Sequence, residues 1–324
     1  MRALIVTNMY PTDASPYYGI FVKEQLDAVT RSHPDVHYDI YFADGRVNKL
    51  NYLKSVFEVD RLVRHGDYDL VHIHYGLAGL FMLNPFRHKI PSLVTLHGGD
   101  IQIEQGKKYQ VAISKRVIAR ANAAITLNDS MTALCSKHSK NLHQLPCSVN
   151  IELFTPPSTP REKTAGSINL VFPGSPSRTV KNYPLFKATV TLLQNHYGLH
   201  VNEIILENMT RTEIADALRR ADLMLLTSIS EGSPQVVKEA MATNLPVVST
   251  NVGDVTTLLD GVADSYVTDS TPEALAAKVM ESIKPSGTGM TGRERLIQLG
   301  LDDNTVANKI YDIYSSLINT NRGA

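Results

Sequence analysis

Short apolar runs alternate with stretches of helical spacing along this chain. Residues 3–7, 37–42, 70–74, 92–97 and 123–127 are apolar and of strand length. After Gly19, the residues Phe21, Leu26 and Val29 recur at helical spacing, and residues 56–64 read as a second helix. Strands alternating with helices in this way predict a parallel sheet with helices on both faces. The alternation breaks at residues 154–167, where Pro, Thr and Ser gather around Arg161, Glu162 and Lys163, so this stretch is the expected linker. A second α/β series follows, with strands at 168–172, 201–206, 223–227 and 247–250 and helices at 184–194, 213–220 and 234–243. Thr271 reads as an N-cap ahead of Pro272, and Val306, Ile310, Ile313 and Leu317 mark a last amphipathic helix over 303–318. The expected fold class is α/β: two Rossmann-like domains, 1–155 and 166–302, facing each other across a cleft where such sheets bind ligands.

The chemistry concentrates in the run from Glu231 to Ala242, Glu-Gly-Ser-Pro-Gln-Val-Val-Lys-Glu-Ala-Met-Ala. The run follows an apolar strand, so it reads as a strand-to-helix turn with Ser233 as N-cap and Pro234 at the first helical position. Glu231 then sits at the helix mouth and Glu239 just over one turn inside. Unpaired N–H groups and positive potential make a helix mouth a seat for phosphate. A carboxylate beside phosphate calls for a second partner, and sugar hydroxyls donate strong hydrogen bonds to one.

This block resembles the retaining glycosyltransferases of family 4, which have the GT-B fold. The likeness lies in Ser-x-x-Glu-Gly, the spacing of the two glutamates, Ala-Met-Ala and the following Leu-Pro-Val-Val. It implies that Glu239 holds a nucleotide ribose and that Glu231 lies near the donor sugar. Gly232, Ser233, Gln235 and Val236 would complete the donor contacts. In that fold the terminal helix, here 303–324, crosses back to the first domain.

Other segments fit the same family. A Gly/Ser/Pro loop after the strand at 168–172 carries Arg178 and Lys181. Loss of a nucleoside diphosphate builds negative charge, and fixed cations aimed at it lower the barrier. The pair is similar to the family's Arg…Lys pair, though many relatives space the two more widely. Leu93-Val-Thr-Leu-His97-Gly-Gly-Asp100 resembles the family's strand-end His-Gly-x-Asp, which implies that His97 orients the transferred sugar. Gly19 lies in a loop similar to the family's glycine-bearing first loop and would touch the diphosphate or the acceptor. Val252-Gly253-Asp254 is expected near the donor. His72 and His74 point the same way on one strand, but no third metal ligand accompanies them. Packing or acceptor-facing roles are expected for both. The turn at Leu145-Pro146-Cys147-Ser148-Val149-Asn150 departs from the family's Pro-Asn-Gly-Val-Asp, which implies a backbone less reliant on positive φ. The stretch from Val201 to Leu223 is short, leaving Leu206, Glu207, Asn208 and Met209 as the candidates for a base-reading wall.

Composition narrows the classes. The 324 residues suffice for two sizeable cores, and 43% hydrophobic with 20% charged content is ordinary for a globular protein. Zero formal net charge argues against a general nucleic-acid binder. Cys135 and Cys147 have no metal-ligand spacing and predict no disulfide framework; Cys135 fits a helix face. The start reads as a strand rather than a signal peptide, and no run approaches the roughly 20 apolar residues that span a bilayer. A cytoplasmic protein is expected.

Together these readings predict a metal-independent, retaining transfer of a sugar from a nucleotide-diphosphate sugar, a co-substrate, to a hydroxyl acceptor, with no cofactor. The acceptor would be a saccharide or lipid-linked group in polysaccharide or glycolipid biosynthesis. Peripheral contact at the inner membrane face would then fall to Tyr17, Tyr18, Phe21 and Lys23. The alternatives are a non-hydrolysing nucleotide-sugar epimerase, for which no convincing acid/base set is present, and a non-catalytic partner of the same fold. No Asp-x-Asp stands at a strand end, and no Gly-x-Gly-x-x-Gly follows the first strand, which disfavours a dehydrogenase.

Overall fold

The computed structural model describes residues 1–84, 90–102, 107–159, 165–284 and 288–323. Arg161, Glu162 and Lys163 of the expected linker lie outside the described residues. The chain divides into two compact units, Met1–Ser148 with Asp303–Ala324, and Val149–Asp302. The division at Ser148 precedes the sequence-expected boundary at 155 because Val149 and Phe154 are buried in the core of the second unit.

In the first unit the strands are β1 (Arg2–Thr7), β2 (His37–Phe42), β3 (Leu70–His74), β4 (Ser92–Thr95), β5 (Ala123–Thr126) and β6 (Leu142–Gln144). All pair in parallel, in the order β2-β1-β3-β4-β5-β6. Side chains alternate across a strand, so neighbours in sequence enter different cores. Ala3, Ile5, Leu70 and Leu93 face the helices α1 (Ile20–Ser32) and α11 (Asp303–Arg322). Leu4, Val6, Val71, Ile73 and Val94 face α2 (Asn51–His65), the 3-10 helix Gly76–Leu83, α3 (Lys108–Ile118) and α4 (Asp129–Cys135). Cys135 packs on that second face, and both cysteines are buried free thiols.

Helix α11 belongs to this unit and packs on α1 through Val306, Ile310, Ile313 and Leu317. Burying each such side chain is worth roughly 1.5–3 kcal/mol. The Asp303 carboxylate fixes its start, accepting from Ser148 Oγ at 2.7 Å and pairing with Arg31 at 2.8 Å. Farther along, the fully buried Tyr314 bonds His72 Nδ1 at 2.6 Å, and Thr95 Oγ1 holds the other nitrogen of that ring at 2.8 Å. His72 is therefore a satisfied core histidine. Among the described residues no group of three or more His, Cys, Asp or Glu is arranged to hold a metal ion.

The second unit carries β7 (Ser167–Phe172), β8 (His200–Ile205), β9 (Leu223–Leu226), β10 (Val247–Thr250) and β11 (Tyr266–Thr268), all parallel, in the order β11-β10-β9-β7-β8. One core lies against α5 (Tyr183–Asn195) and α9 (Pro272–Ser282), whose N-cap Thr271 accepts from the Ala274 N–H. The other lies against α6 (Arg211–Arg220), α7 (Gln235–Ala242), α8 (Val255–Leu259) and α10 (Gly292–Gln298). The short passage between β8 and β9 leaves β8 as an edge strand. The turn at 145–154 contains no residue of positive φ; Asn150 Oδ1 ties it by accepting the N–H groups of Glu152 and Leu153 at 3.0 Å.

Replacing Tyr314 with Phe keeps the packing but leaves the His72 ring nitrogen without its partner in a dry core. The expected loss is about 1–3 kcal/mol, read as a lower urea midpoint.

Candidate active site

The carboxyl end of β9 builds the first constellation. Thr227, at 1% exposure, donates its hydroxyl to the carbonyls of Lys181 and Asn182 at 3.0 and 3.2 Å. The Ile229 N–H adds a bond to the Val180 carbonyl at 2.9 Å. These bonds clamp the 3-10 turn Thr179–Lys181, which Asn182 closes in the left-handed region at φ 53°. Lys181 is consequently buried, and its ammonium meets Glu231 Oε1 at 2.8 Å. Ser228 Oγ donates to the same oxygen at 2.7 Å. Arg178 is not part of this cluster: it is exposed, and among the described residues its guanidinium makes no hydrogen bond or ion pair.

Glu231 and Gly232 are held from below by Gly253. At φ 58° its missing Cβ would stand 2.6 Å from the Gly232 carbonyl, so a side chain there would push the loop away. Helix α7 begins at Gln235, with Pro234 in the cap position at φ −67° and ψ 111° and no capping side chain. The sequence-expected Ser233 cap is thus corrected. Proline lacks an N–H and favours extended backbone, which moves the helix start one residue on. The Ser233 hydroxyl is buried toward Asp254 instead. Burial holds the Asp254 carboxyl above its ordinary range, against the pull of nearby Lys238.

Glu239 is 2% exposed, and sequence reasoning missed what keeps it there. Arg211 at the start of α6 places Nη2 2.7 Å from Glu239 Oε1, and its guanidinium lies 4.8 Å over the Phe154 ring. A buried carboxylate demands a cation, so the signal was the burial of Glu239 itself on an apolar helix face. The capping box of Thr210 and Glu213 fixes the helix start that carries Arg211. Leu206 is buried, whereas Glu207 and Asn208, which follow it on the turn before α6, are exposed.

The first unit supplies the histidine loop. Beyond β4 the buried Asp100 carboxylate accepts the His97 N–H at 3.0 and 3.2 Å and the Gly76 N–H at 3.1 Å. Gly98, at φ 102°, closes the turn by accepting from Ile101 and Gln102. The His97 ring lies against Phe21 at 4.9 Å and bonds His74 Nδ1 through Nε2 at 3.3 Å. His74 therefore fixes one ring nitrogen of His97, a link that the strand pattern alone did not reveal. Burial pushes both imidazoliums far down, His97 to about 3, so the rings are neutral near pH 7. Asp100 is pushed up to about 6 by burial, against the pull of the backbone N–H groups around it. Gly19 caps α1 at φ 68°, where a Cβ would stand 2.4 Å from the Met9 backbone.

Residues 15–140 match the domain family described as "Glycosyl transferase 4-like domain", and residues 163–284 match "Glycosyl transferases group 1". The chain belongs to the group 1 glycosyl transferases, and its two parallel-sheet units are of the GT-B type. It is a glycosyltransferase. TuaC of Bacillus subtilis (strain 168), named for teichuronic acid biosynthesis, is 22% identical over 86% of this chain and 88% of its own length. A D-inositol 3-phosphate glycosyltransferase of Arthrobacter sp. (strain FB24) is 25% identical over 74% of this chain and 68% of its own. Among solved structures, sucrose-phosphate synthase of Thermosynechococcus elongatus superposes with a TM-score of 0.77, at 17% identity over 98% of this chain and 99% of the other. Anabaena HepE in complex with UDP gives 0.69, at 14% identity over 98% and 100%.

Two expectations follow. Arg211→Ala strands the Glu239 charge and should cost about 3 kcal/mol in urea unfolding, while adding Glu239→Gln should recover much of that loss. The second concerns pH. His72 and His97 sit at about 3 and His74 well below its usual value. The unfolded chain therefore takes up protons below about pH 6.5 that the folded chain refuses, and stability falls as pH drops toward about 3. Asp100 opposes this, since its contribution fades as pH rises from about 4 to about 6. The urea midpoint should fall from about pH 7 to about pH 5, and Asp100→Asn should steepen the fall.

Proposed function

We propose that the protein transfers a hexose-type sugar, with retention, from a nucleoside diphosphate sugar to the hydroxyl of a saccharide or lipid-linked acceptor. The observation that carries this reading is the pair of clamped carboxylates around α7. Glu231 is held by Lys181 and Ser228 at the helix mouth, and Glu239 is buried one turn inside against Arg211. In this reading Glu239 accepts from the ribose diol. Arg211 already occupies Oε1, which leaves Oε2 as the ribose acceptor.

Lys181 spends one of its three donors on Glu231 and has two for diphosphate oxygens. The exposed Arg178 is available for bidentate phosphate contact as charge grows on the leaving group. These cations and the α7 helix mouth offset the leaving charge without a metal ion. The bond from the anomeric carbon to the phosphate oxygen breaks as the bond to the acceptor oxygen forms on the same face. The acceptor's proton goes to the departing phosphate. His97, neutral and fixed by His74, orients the sugar rather than acting as a base. Gly232, Ser233, Gln235 and Val236 would line the donor, and Gly19 the diphosphate or acceptor.

Support from outside the chain is of the same kind. HepE is solved with UDP-glucose, and TuaC is named for teichuronic acid biosynthesis. A UDP-sugar is therefore the first donor to offer, ahead of GDP- and ADP-sugars, in a calorimetric titration. Glu239→Ala should weaken donor binding by about tenfold or more, whereas Lys181→Ala should mainly lower kcat, by about 10²–10³. Transfer at the wild-type rate by both variants would overturn the assignment.

A further inference from the structure

Helix α2 is apolar on two sides. Its inner side buries Ser55, Val59 and Val63 against the first unit. On the opposite side Leu50, Leu53 and Phe57 continue an apolar stripe at i, i+3 and i+7, exposed by 56%, 57% and 77%, with Val47 just before it at 81%. A soluble surface scatters its apolar side chains singly, so a stripe of this size signals a partner. Lys49, Lys54 and Arg61 are exposed beside the stripe and make no ion pair among the described residues. The neighbouring acids are engaged, Asp60 with Arg64 and Glu58 with the Tyr41 hydroxyl. The face thus offers apolar side chains flanked by three cations against one acid, Glu58, that no cation pairs among the described residues.

We propose that this face of α2 docks on an anionic lipid surface, with Leu50, Leu53 and Phe57 entering the headgroup boundary and Lys49, Lys54 and Arg61 meeting the headgroup charge. The combination of apolar insertion with basic flanks fits an acidic bilayer better than a protein groove, which would match the cations one by one. No helix among the described residues is long and apolar enough to cross a membrane, so attachment here is peripheral. Of the residues first expected to make such a contact, Tyr17 is exposed and the other three are engaged elsewhere. Tyr18 lies under the Arg46 guanidinium at 3.5 Å, Phe21 packs on His97, and Lys23 pairs with Asp27. The inference stands apart from the donor chemistry and does not depend on it.

The test is cosedimentation of the full chain with vesicles of phosphatidylcholine alone or with added phosphatidylglycerol. Binding to the anionic vesicles is expected to exceed that to neutral ones by about tenfold and to weaken with salt. The Leu53→Glu, Phe57→Glu double variant should lose about tenfold or more of that binding. Lys54→Glu with Arg61→Glu should abolish the preference for anionic lipid. These side chains point outward, so an unchanged thermal melt will confirm that the variants fold. Absence of binding to anionic vesicles, or equal binding by the Leu53/Phe57 variant, overturns the proposal. So does light scattering that shows a dimer which the same variant dissolves, because a second copy would then cover the face.

Discussion

A parallel sheet covered by helices on both faces has nowhere in its interior to keep a charge. Each unit of this protein is built on such a sheet, and apolar strand residues fill its two cores almost without interruption. Charged groups persist beyond the carboxyl ends of the strands, and there they survive only when compensated. Two ion pairs of the second unit meet this constraint. Lys181 with Glu231, and Arg211 with Glu239, are ion pairs at 2.8 and 2.7 Å with mostly buried side chains. Each pair costs desolvation, so neither is a simple gain in stability. What each supplies is a carboxylate fixed in position.

The first unit answers the same constraint with neutral groups. His72 within β3, His74 at its carboxyl end and His97 just beyond β4 lie side by side, and burial keeps all three rings uncharged. Asp100 nearby is surrounded by backbone N–H groups rather than by a cation. A neutral imidazole can donate and accept hydrogen bonds without bringing a charge into the core. The strand ends of the two units are thus compensated differently, by ion pairs in the second and by neutral rings and backbone N–H groups in the first.

Much of the fold was legible because the physics of its strands is local. An apolar run of four or five residues bounded by loop chemistry reads as a buried strand wherever it occurs, and β3 and β10 fall where such runs do. The strands β6 and β11 were not legible. They are three-residue edge strands, half-buried, with no alternation to detect. Helix α3 escaped for a related reason: its buried positions include Ser114, which breaks the apolar period. The start of α7 was placed one residue early because Ser-Pro suits two different caps, and only the packing of Ser233 toward Asp254 separates them.

By itself the sequence determined which residue types stand at which strand ends, and so the kind of chemistry available to each unit. It placed two carboxylates, two cations and a histidine on particular loops and helix starts, because each motif is read within a dozen residues. Tertiary structure decided the partners. It gave Glu239 to Arg211, 28 residues away, gave His97 to His74, 23 residues away, and left Arg178 in solvent while burying Lys181. Pairings of that range depend on how strands stack and helices start, a geometry that no local pattern encodes.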